Sequence, residues 1–213
     1  MEKVKNYFVE LGAKRLVMMV LGNIVLGFGI SIFKFAGMGN DPYSAHVFAV
    51  ADFFGFYFPV YQICFNAVCF IIFELTLGRK YIGLGTLVNM FLLGYIVDFF
   101  HNILTSIFTE PTTFLGQFPV MLIGVVITCL GIALYQAPNA GVSPYDSVSI
   151  IMSERIKKLP YFWARMITDS LCALVCFICG GLLGLGTIVC AFGLGPIVQF
   201  FTVKVAQPIL DKN

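Results

Sequence analysis

The strongest constraint on this fold is an internal repeat. The sequence of residues 83–100 is repeated in residues 184–201, at an offset of 101. The two stretches are identical at twelve of eighteen positions. Each copy begins with a Gly-x-Gly-Thr motif, and Pro59 also recurs, as Pro160. Because a repeat on this scale defines the architecture of a chain, the sequence predicts two copies of one structural unit.

A second pair of matching stretches interrupts the apolar sequence. Residues 37–43 are Gly-Met-Gly-Asn-Asp-Pro-Tyr, and residues 139–145 are Asn-Ala-Gly-Val-Ser-Pro-Tyr. Glycine permits a sharp turn, Asp41 and Ser143 are good N-cap residues, and proline fits the first position of a helix. We therefore predict two discontinuous helices, a pattern typical of transporters that are built from repeats.

The composition indicates the environment of these helices. The chain of 213 residues is 59% hydrophobic and only 11% charged, and its mean hydropathy is +0.93. A soluble domain of this length needs more charged residues to cover its surface. The predicted fold is therefore all-α, a polytopic membrane helical bundle.

The predicted boundaries follow the repeat. We expect residues 1–13 to form an amphipathic helix on the membrane surface, residues 14–108 to form repeat 1 and residues 109–213 to form repeat 2. Six segments have the ~20 apolar residues that a bilayer requires. They are residues 15–36, 59–77, 82–104, 116–137, 160–179 and 182–203. The segments at 42–57 and 144–158 are shorter, so each is expected to re-enter the membrane or to lie along the interface.

The placement of charge predicts the orientation. If only the six long segments cross and both termini are cytoplasmic, the basic residues lie inside, while Asp52 and Glu110 stay outside. These basic residues are Lys3, Lys5, Lys14, Arg15, Arg79, Lys80, Arg155, Lys157, Lys158, Lys204 and Lys212. Such a distribution obeys the positive-inside rule. Each unit then crosses three times, an odd number, so the two repeats are predicted to be inverted.

These features resemble a known family. The duplicated organisation, the Gly-x-x-Pro-Tyr elements at 39–43 and 141–145, and the Gly-x-Gly-Thr motifs at 83–86 and 184–187 are similar to those of the YczE/YitT-like bacterial integral membrane proteins. The resemblance covers nearly the whole chain. It implies a location in the bacterial plasma membrane, and it brings no substrate with it.

Two charged residues of the fifth long segment are the most informative ones. Arg165 and Asp169 are four residues apart, so they share one face of a helix. A charge inside a membrane is expensive and commonly functional, which favours a role in binding a substrate or ion. The alternative is a structural pair that neutralises itself. The matching positions in repeat 1 are Cys64 and Val68, so a site here is asymmetric.

The two helix starts supply the other candidates. Asp41 and Asp146 are interpreted first as capping residues. The alternative is that the free N–H groups of both N-termini hold an anionic or polar ligand. The carboxylates of Asp41 and Asp146 would repel an anion, whereas the helix N-termini would attract one. The sequence therefore leaves the sign of the ligand's charge open. The expected binding residues are Asn40, Asp41, Tyr43, Asn139, Ser143, Tyr145, Asp146, Arg165 and Asp169.

Lys34 and Asp98 are secondary candidates. Lys34 lies just before the first break, where it is expected either to pair with Asp41 or to contact a ligand anion. Asp98 is expected to face the seam between the repeats or, as we favour, to lie at the outer interface beside His101.

These patterns favour a small secondary transporter or channel for a small polar or charged solute, with its site between the two Gly-x-x-Pro-Tyr elements. The alternative is a non-transporting scaffold, partner subunit or regulator. The sequence has no catalytic motif and no metal-ligand spacing, so we expect no enzyme activity, metal or cofactor. The expected partners are the lipid bilayer, a small polar or ionic solute and a second copy of the chain, and nucleic acid is not expected.

Overall fold

The computed structural model describes residues 12–77, 83–156, 159–181 and 183–211, without the side chains of residues 72–77. All regular structure in these residues is helical, which confirms the predicted all-α fold. The surface helix predicted at residues 1–13 lies outside the described residues, apart from its last two positions.

The described residues form nine α-helices, and one π-helical turn joins the last two. The helices are α1 (Ala13–Phe35), α2 (Pro42–Phe54), α3 (Phe58–Leu77), α4 (Leu84–Ile107), α5 (Phe114–Gln136), α6 (Pro144–Arg155), α7 (Tyr161–Ile178), α8 (Leu185–Phe201) and α9 (Gln207–Asp211). The π-helical turn is Thr202–Ala206.

Several of these helices are long and apolar enough to cross a membrane. Five such segments lie in the described residues: α1, α4, α5, α7 and the continuous segment Leu185–Asp211, which contains α8 and α9. Helix α2 and the stretch Phe58–Ile71 of α3 meet at an angle of 113° and make a sixth span if they are counted as one broken span. The chain is therefore a multi-pass helical membrane protein. The inverted orientation of its repeats stays a prediction.

Helices α1 and α5 form the centre of the bundle, and glycines bring their backbones into contact. A side chain at Gly131 of α5 would put its Cβ 2.5 Å from the Cα of Leu26, and one at Gly124 would put it 2.9 Å from the Cα of Phe33. Such small residues allow helices to approach closely inside a membrane. The full set of pairs is Gly22 with Tyr135, Leu26 with Gly131, Gly29 with Thr128, and Phe33 with Gly124.

These pairs also fix the relative direction of the two helices. As the residue numbers in α1 increase along this series of pairs, the numbers of their partners in α5 decrease. Helices α1 and α5 are therefore antiparallel. The two helices occupy matching positions in the sequence repeat, since Gly22 matches Gly124 and Gly29 matches Gly131.

The predicted helix breaks are present, and they share one backbone conformation. The backbone φ angle is +104° at both Gly39 and the matching Gly141. It is also positive at the matching positions two residues earlier, with +69° at Gly37 and +54° at Asn139. Glycine and asparagine are the residues that adopt this left-handed region most readily.

Each break is hydrogen-bonded to the first turn of a helix in the other repeat. The N–H of Gly186 in α8 donates to the carbonyl of Met38 at 3.0 Å. In the matching position, the N–H of Gly85 in α4 donates to the carbonyl of Ala140 at 2.8 Å. The Gly-x-Gly-Thr motifs thus supply donors to carbonyl groups that have left their helices.

The contact between break and motif leaves no space for a side chain. A Cβ at Gly39 would lie 2.9 Å from the Cα of Gly184, and a Cβ at Gly141 would lie 2.7 Å from the Cα of Gly83. Glycine is required on both sides of each contact, which explains why the two motifs recur together.

We expect Gly131→Ala to destabilise the protein, because the added methyl group collides with the backbone of Leu26. Forced overpacking of this kind costs about 1–3 kcal/mol. The measurement is the thermal unfolding temperature of the purified protein in detergent. The control is Gly193→Ala in α8, where the nearest atom would be 3.9 Å away and the unfolding temperature should stay the same or rise slightly. Equal unfolding temperatures for both variants would contradict the close contact of α1 and α5.

Candidate functional site

The starts of α2 and α6 meet inside the protein. The rings of Tyr43 and Tyr145 stack with their centroids 4.6 Å apart and their planes at 29°. These tyrosines occupy matching positions in the two Gly-x-x-Pro-Tyr elements. The structure therefore brings together the two elements between which the sequence predicts a site.

Both helix starts are capped by side chains. Oδ2 of Asp41 accepts a hydrogen bond from the N–H of Ser44 at 3.0 Å, and Oγ of Ser143 accepts one from the N–H of Asp146 at 3.1 Å. The capping interpretation is confirmed for Asp41 and Ser143. It is wrong for the side chain of Asp146, which is bound to Arg165 because a buried guanidinium requires a carboxylate partner.

The cluster around Arg165 is the densest concentration of charge among the described buried residues. Nη1 of Arg165 donates to Oδ1 of Asp146, and its Nε donates to Oδ2 of Asp169 at 3.3 Å. The hydroxyl of Tyr145 donates to the other oxygen of Asp169. The Tyr145 ring also faces the guanidinium at 5.1 Å, which is a cation–π distance. All four residues are buried, and Asp169 is fully so.

The predicted pairing of Arg165 with Asp169 is present, and Asp146 is a second partner that spacing did not reveal. Asp146 lies nineteen residues away on another helix, so only the packing of α6 against α7 brings it to Arg165. One arginine therefore binds two carboxylates. We name this group, Tyr145, Asp146, Arg165 and Asp169, the charge cluster.

Sequence reasoning also missed three polar residues near the helix starts. Nδ2 of Asn66 in α3 donates to the hydroxyl of Tyr43 at 2.7 Å, and Nδ2 of Asn89 in α4 donates to Oδ1 of Asn23 at 3.0 Å. All three asparagines are almost completely buried. Each of them is an asparagine within an apolar helix, and this pattern could have identified them. A polar side chain at membrane depth is rarely without a partner, so such an asparagine indicates a buried polar contact.

A small cavity lies between the two helix starts and the charge cluster. Its volume is about 30 Å³. Its polar lining comes from Asp41, Tyr43, Asn89, Thr128, Ser143, Tyr145, Asp146 and Arg165. Two of these lining residues carry a buried oxygen, Oδ1 of Asp41 and Oγ1 of Thr128, that has no hydrogen-bond partner among the residues that the structure describes. We name this space the inner cavity.

A larger cavity opens at one face of the protein, and we name it the vestibule. It has a volume of about 620 Å³ and lies over the first break and the start of α8. Asn40 contributes to its lining, together with Asp52, Gln117 and Gly184. Asn40 lines the vestibule and Asp41 lines the inner cavity, so consecutive residues at the start of α2 border the two spaces.

The two breaks differ in one hydrogen bond. At the second break, Oγ1 of Thr86 donates to the carbonyl of Val142 at 2.8 Å. The matching threonine at the first break is Thr187, whose buried Oγ1 has no partner among the described residues. The first break therefore has one side-chain hydrogen bond fewer among the described residues, and it is the break that the vestibule borders.

Four predicted residues lie apart from the inner cavity: Asn40, which lines the vestibule, and Lys34, Asp98 and Asn139. Lys34 and Asp98 form a 3.8 Å ion pair, with about a third of each side chain exposed. The alternative pairing of Lys34 with Asp41 is therefore wrong. Lys34 does line the vestibule. Asn139 is exposed and does not line the inner cavity, since its position serves the left-handed turn of the second break.

The helices and the buried charges define an integral, multi-pass membrane protein with a polar centre. The chain belongs to DUF6198, a family of unknown function, whose model matches residues 13–203. The resemblance that the sequence motifs indicated is thereby confirmed at the level of the family.

Three relatives support this assignment. The chain is 28% identical over 180 residues to the uncharacterized membrane protein YczE of Bacillus subtilis, with 84% of this chain and 81% of the relative covered. It is 27% identical over 186 residues to an uncharacterized protein of Haemophilus influenzae, with 86% and 81% covered. It is 24% identical over 193 residues to the uncharacterized protein YyaS of Bacillus subtilis, with 91% and 94% covered. No solved structure matches the chain.

We expect Arg165→Met to destabilise the protein strongly, because it leaves Asp146 and Asp169 buried without their cation. Removing one partner of a buried ion pair costs about 3–5 kcal/mol. Adding Asp146→Asn and Asp169→Asn to the same chain should restore much of the lost stability, since no unpaired charge then stays buried.

The measurement is the thermal unfolding temperature, in detergent, of the single variant Arg165→Met and of the triple variant that also carries Asp146→Asn and Asp169→Asn. The control is Arg155→Met, because Arg155 is exposed at the end of α6 and its replacement should change stability little. Equal losses in the single and the triple variant would contradict a role for charge compensation.

Proposed function

We propose that the protein is a small secondary transporter or channel for a small polar or charged solute. The observation that carries the proposal is that the consecutive residues Asn40 and Asp41 line the vestibule and the inner cavity, respectively. A solute entering the vestibule would meet the start of α2 first and the charge cluster next. Discontinuous helices whose N-termini face a polar space are a recurring transporter plan.

The relation between the two halves also supports the proposal. Inverted repeats require matching helices to run in opposite directions, and α1 and α5 are antiparallel. In the orientation that the charge pattern predicts, both termini are cytoplasmic and the membrane is the bacterial plasma membrane. The vestibule, which includes Lys34 at the end of α1, then opens to the outside.

The two breaks provide a means of alternating access. In this conformation, the contact of Thr86 with Val142 closes the second break, while Thr187 lacks the matching contact. We propose that transport exchanges these states, so that the bond at Thr187 forms as the bond at Thr86 breaks. The backbone hydrogen bonds from Gly186 to Met38 and from Gly85 to Ala140 would limit the movement to a small displacement of each break.

The alternative is a non-transporting scaffold, partner subunit or regulator. The small volume of the inner cavity is the observation that favours it, since about 30 Å³ does not admit a large solute. The two functions differ in whether water reaches the helix starts from the membrane faces.

The first test is thiol accessibility in a variant without the seven native cysteines. Ser44→Cys and Ser147→Cys each place a thiol one turn into a buried helix start. If the protein transports, a membrane-impermeant maleimide should label at least one of them, more slowly than it labels a control thiol from Glu110→Cys in an exposed loop. Protection of both thiols in folded protein would contradict transport and favour the scaffold.

The second test uses the difference between the two breaks. Thr86→Val removes the side-chain bond to Val142, so it should increase labelling of Ser147→Cys from the face opposite the vestibule. Thr187→Val is the matched control, because Thr187 makes no such bond among the described residues and its replacement should leave this labelling unchanged. Equal labelling rates in both variants would show that Thr86 does not hold the second break closed.

A further inference from the structure

The inner cavity is surrounded by more negative than positive charge. Asp41 and Asp146 line it, Asp169 binds its guanidinium, and Arg165 is the cation among the described lining residues. Three carboxylates and one guanidinium give a formal charge of −2. The N-termini of α2 and α6 add about half a positive charge each, which leaves roughly one net negative charge.

The hydrogen bonds show where this charge is uncompensated. Arg165 is engaged by Asp146 and Asp169. Asp41 is 93% buried, and Oδ2 of its carboxylate accepts a hydrogen bond from the N–H of Ser44. Its Oδ1 faces no donor among the described residues. A carboxylate in this state is costly inside a membrane unless it meets a cation or takes up a proton.

A second oxygen is free on another helix of the same cavity. Oγ1 of Thr128 in α5 is buried and has no partner in the described part of the chain. Asp41 and Thr128 both line the inner cavity, so one carboxylate oxygen and one hydroxyl oxygen without partners among the described residues belong to its wall. Oxygen ligands of this kind suit hard cations rather than soft metals.

We propose that the inner cavity binds one small monovalent cation, with Asp41 as its charged ligand and Thr128 as a neutral ligand. The volume of about 30 Å³ is close to that of one water molecule, so it fits one such ion. An anion is disfavoured, because the guanidinium of Arg165 is already bound by two carboxylates. This inference rests on the proposed function for its meaning in transport, and it deepens that function by assigning the charge of the ligand.

The test measures cation binding by the purified full chain in detergent. NaCl, KCl and LiCl are titrated against N-methylglucamine chloride at constant ionic strength, while thermal unfolding and calorimetric heat are recorded. At least one of the three cations should raise the unfolding temperature with saturation, as expected for a ligand that binds the folded state.

Two variants assign the ligands. Asp41→Asn keeps the cap on α2, because asparagine caps as well as aspartate, and it should abolish the cation response without unfolding the protein. Thr128→Val removes one neutral ligand and should weaken binding by about tenfold or more. The control is Glu110→Gln in the exposed loop, which should leave the response unchanged.

The outcomes separate this inference from transport itself. The cation site is refuted if none of the three salts changes the unfolding temperature, or if Asp41→Asn keeps the full response. A stability that responds to pH but to none of the salts would also overturn it, in favour of a bound proton. Transport is tested independently by thiol labelling at the helix starts, so either conclusion can fail alone.

Discussion

A membrane offers no water to a backbone group that has left its helix, so the protein itself must supply the partner. The rest of this structure depends on how that requirement is met at the two breaks. The carbonyls of Met38 and Ala140 accept hydrogen bonds from the first turns of α8 and α4. The donor N–H groups can come this close only because glycine has no side chain. The breaks and the Gly-x-Gly-Thr motifs therefore require each other, and the polar centre depends on their contact.

This interdependence explains what the sequence could predict. The all-helical fold and both breaks were visible, because glycine, an N-cap residue and proline at fixed spacing leave few alternatives. The pairing of Arg165 with Asp169 was visible too, because a spacing of four residues lies within one helix. Local chemistry was therefore a reliable guide wherever the interacting groups lie close together in the chain.

The missing parts of the site depend on contacts between distant segments. Asp146 and Arg165 belong to different helices, and the stack of Tyr43 on Tyr145 joins the two repeats. Lys34 was expected either to pair with Asp41, which is closer in the sequence, or to contact a ligand anion, although it lies beside Asp98. Helix packing decides these partners, and no spacing within the sequence encodes it. The inner cavity is itself a product of packing, so its unbound oxygens could not be predicted.

The repeat preserves the backbone and lets the side chains differ. The matching glycines keep identical φ angles, whereas Arg165 and Asp169 correspond to Cys64 and Val68. The charge cluster thus lies entirely in one half of a frame that both halves build.

The exchange of partners between the halves has a consequence for biosynthesis. The break after α1 emerges from the ribosome early, but its donor, Gly186, follows about 150 residues later. Until α8 has been inserted, the carbonyl of Met38 lacks its final partner, so the first half cannot reach its native form alone. The nascent chain must therefore mature late and as a whole, and its two halves, made as separate polypeptides, would depend on each other for folding.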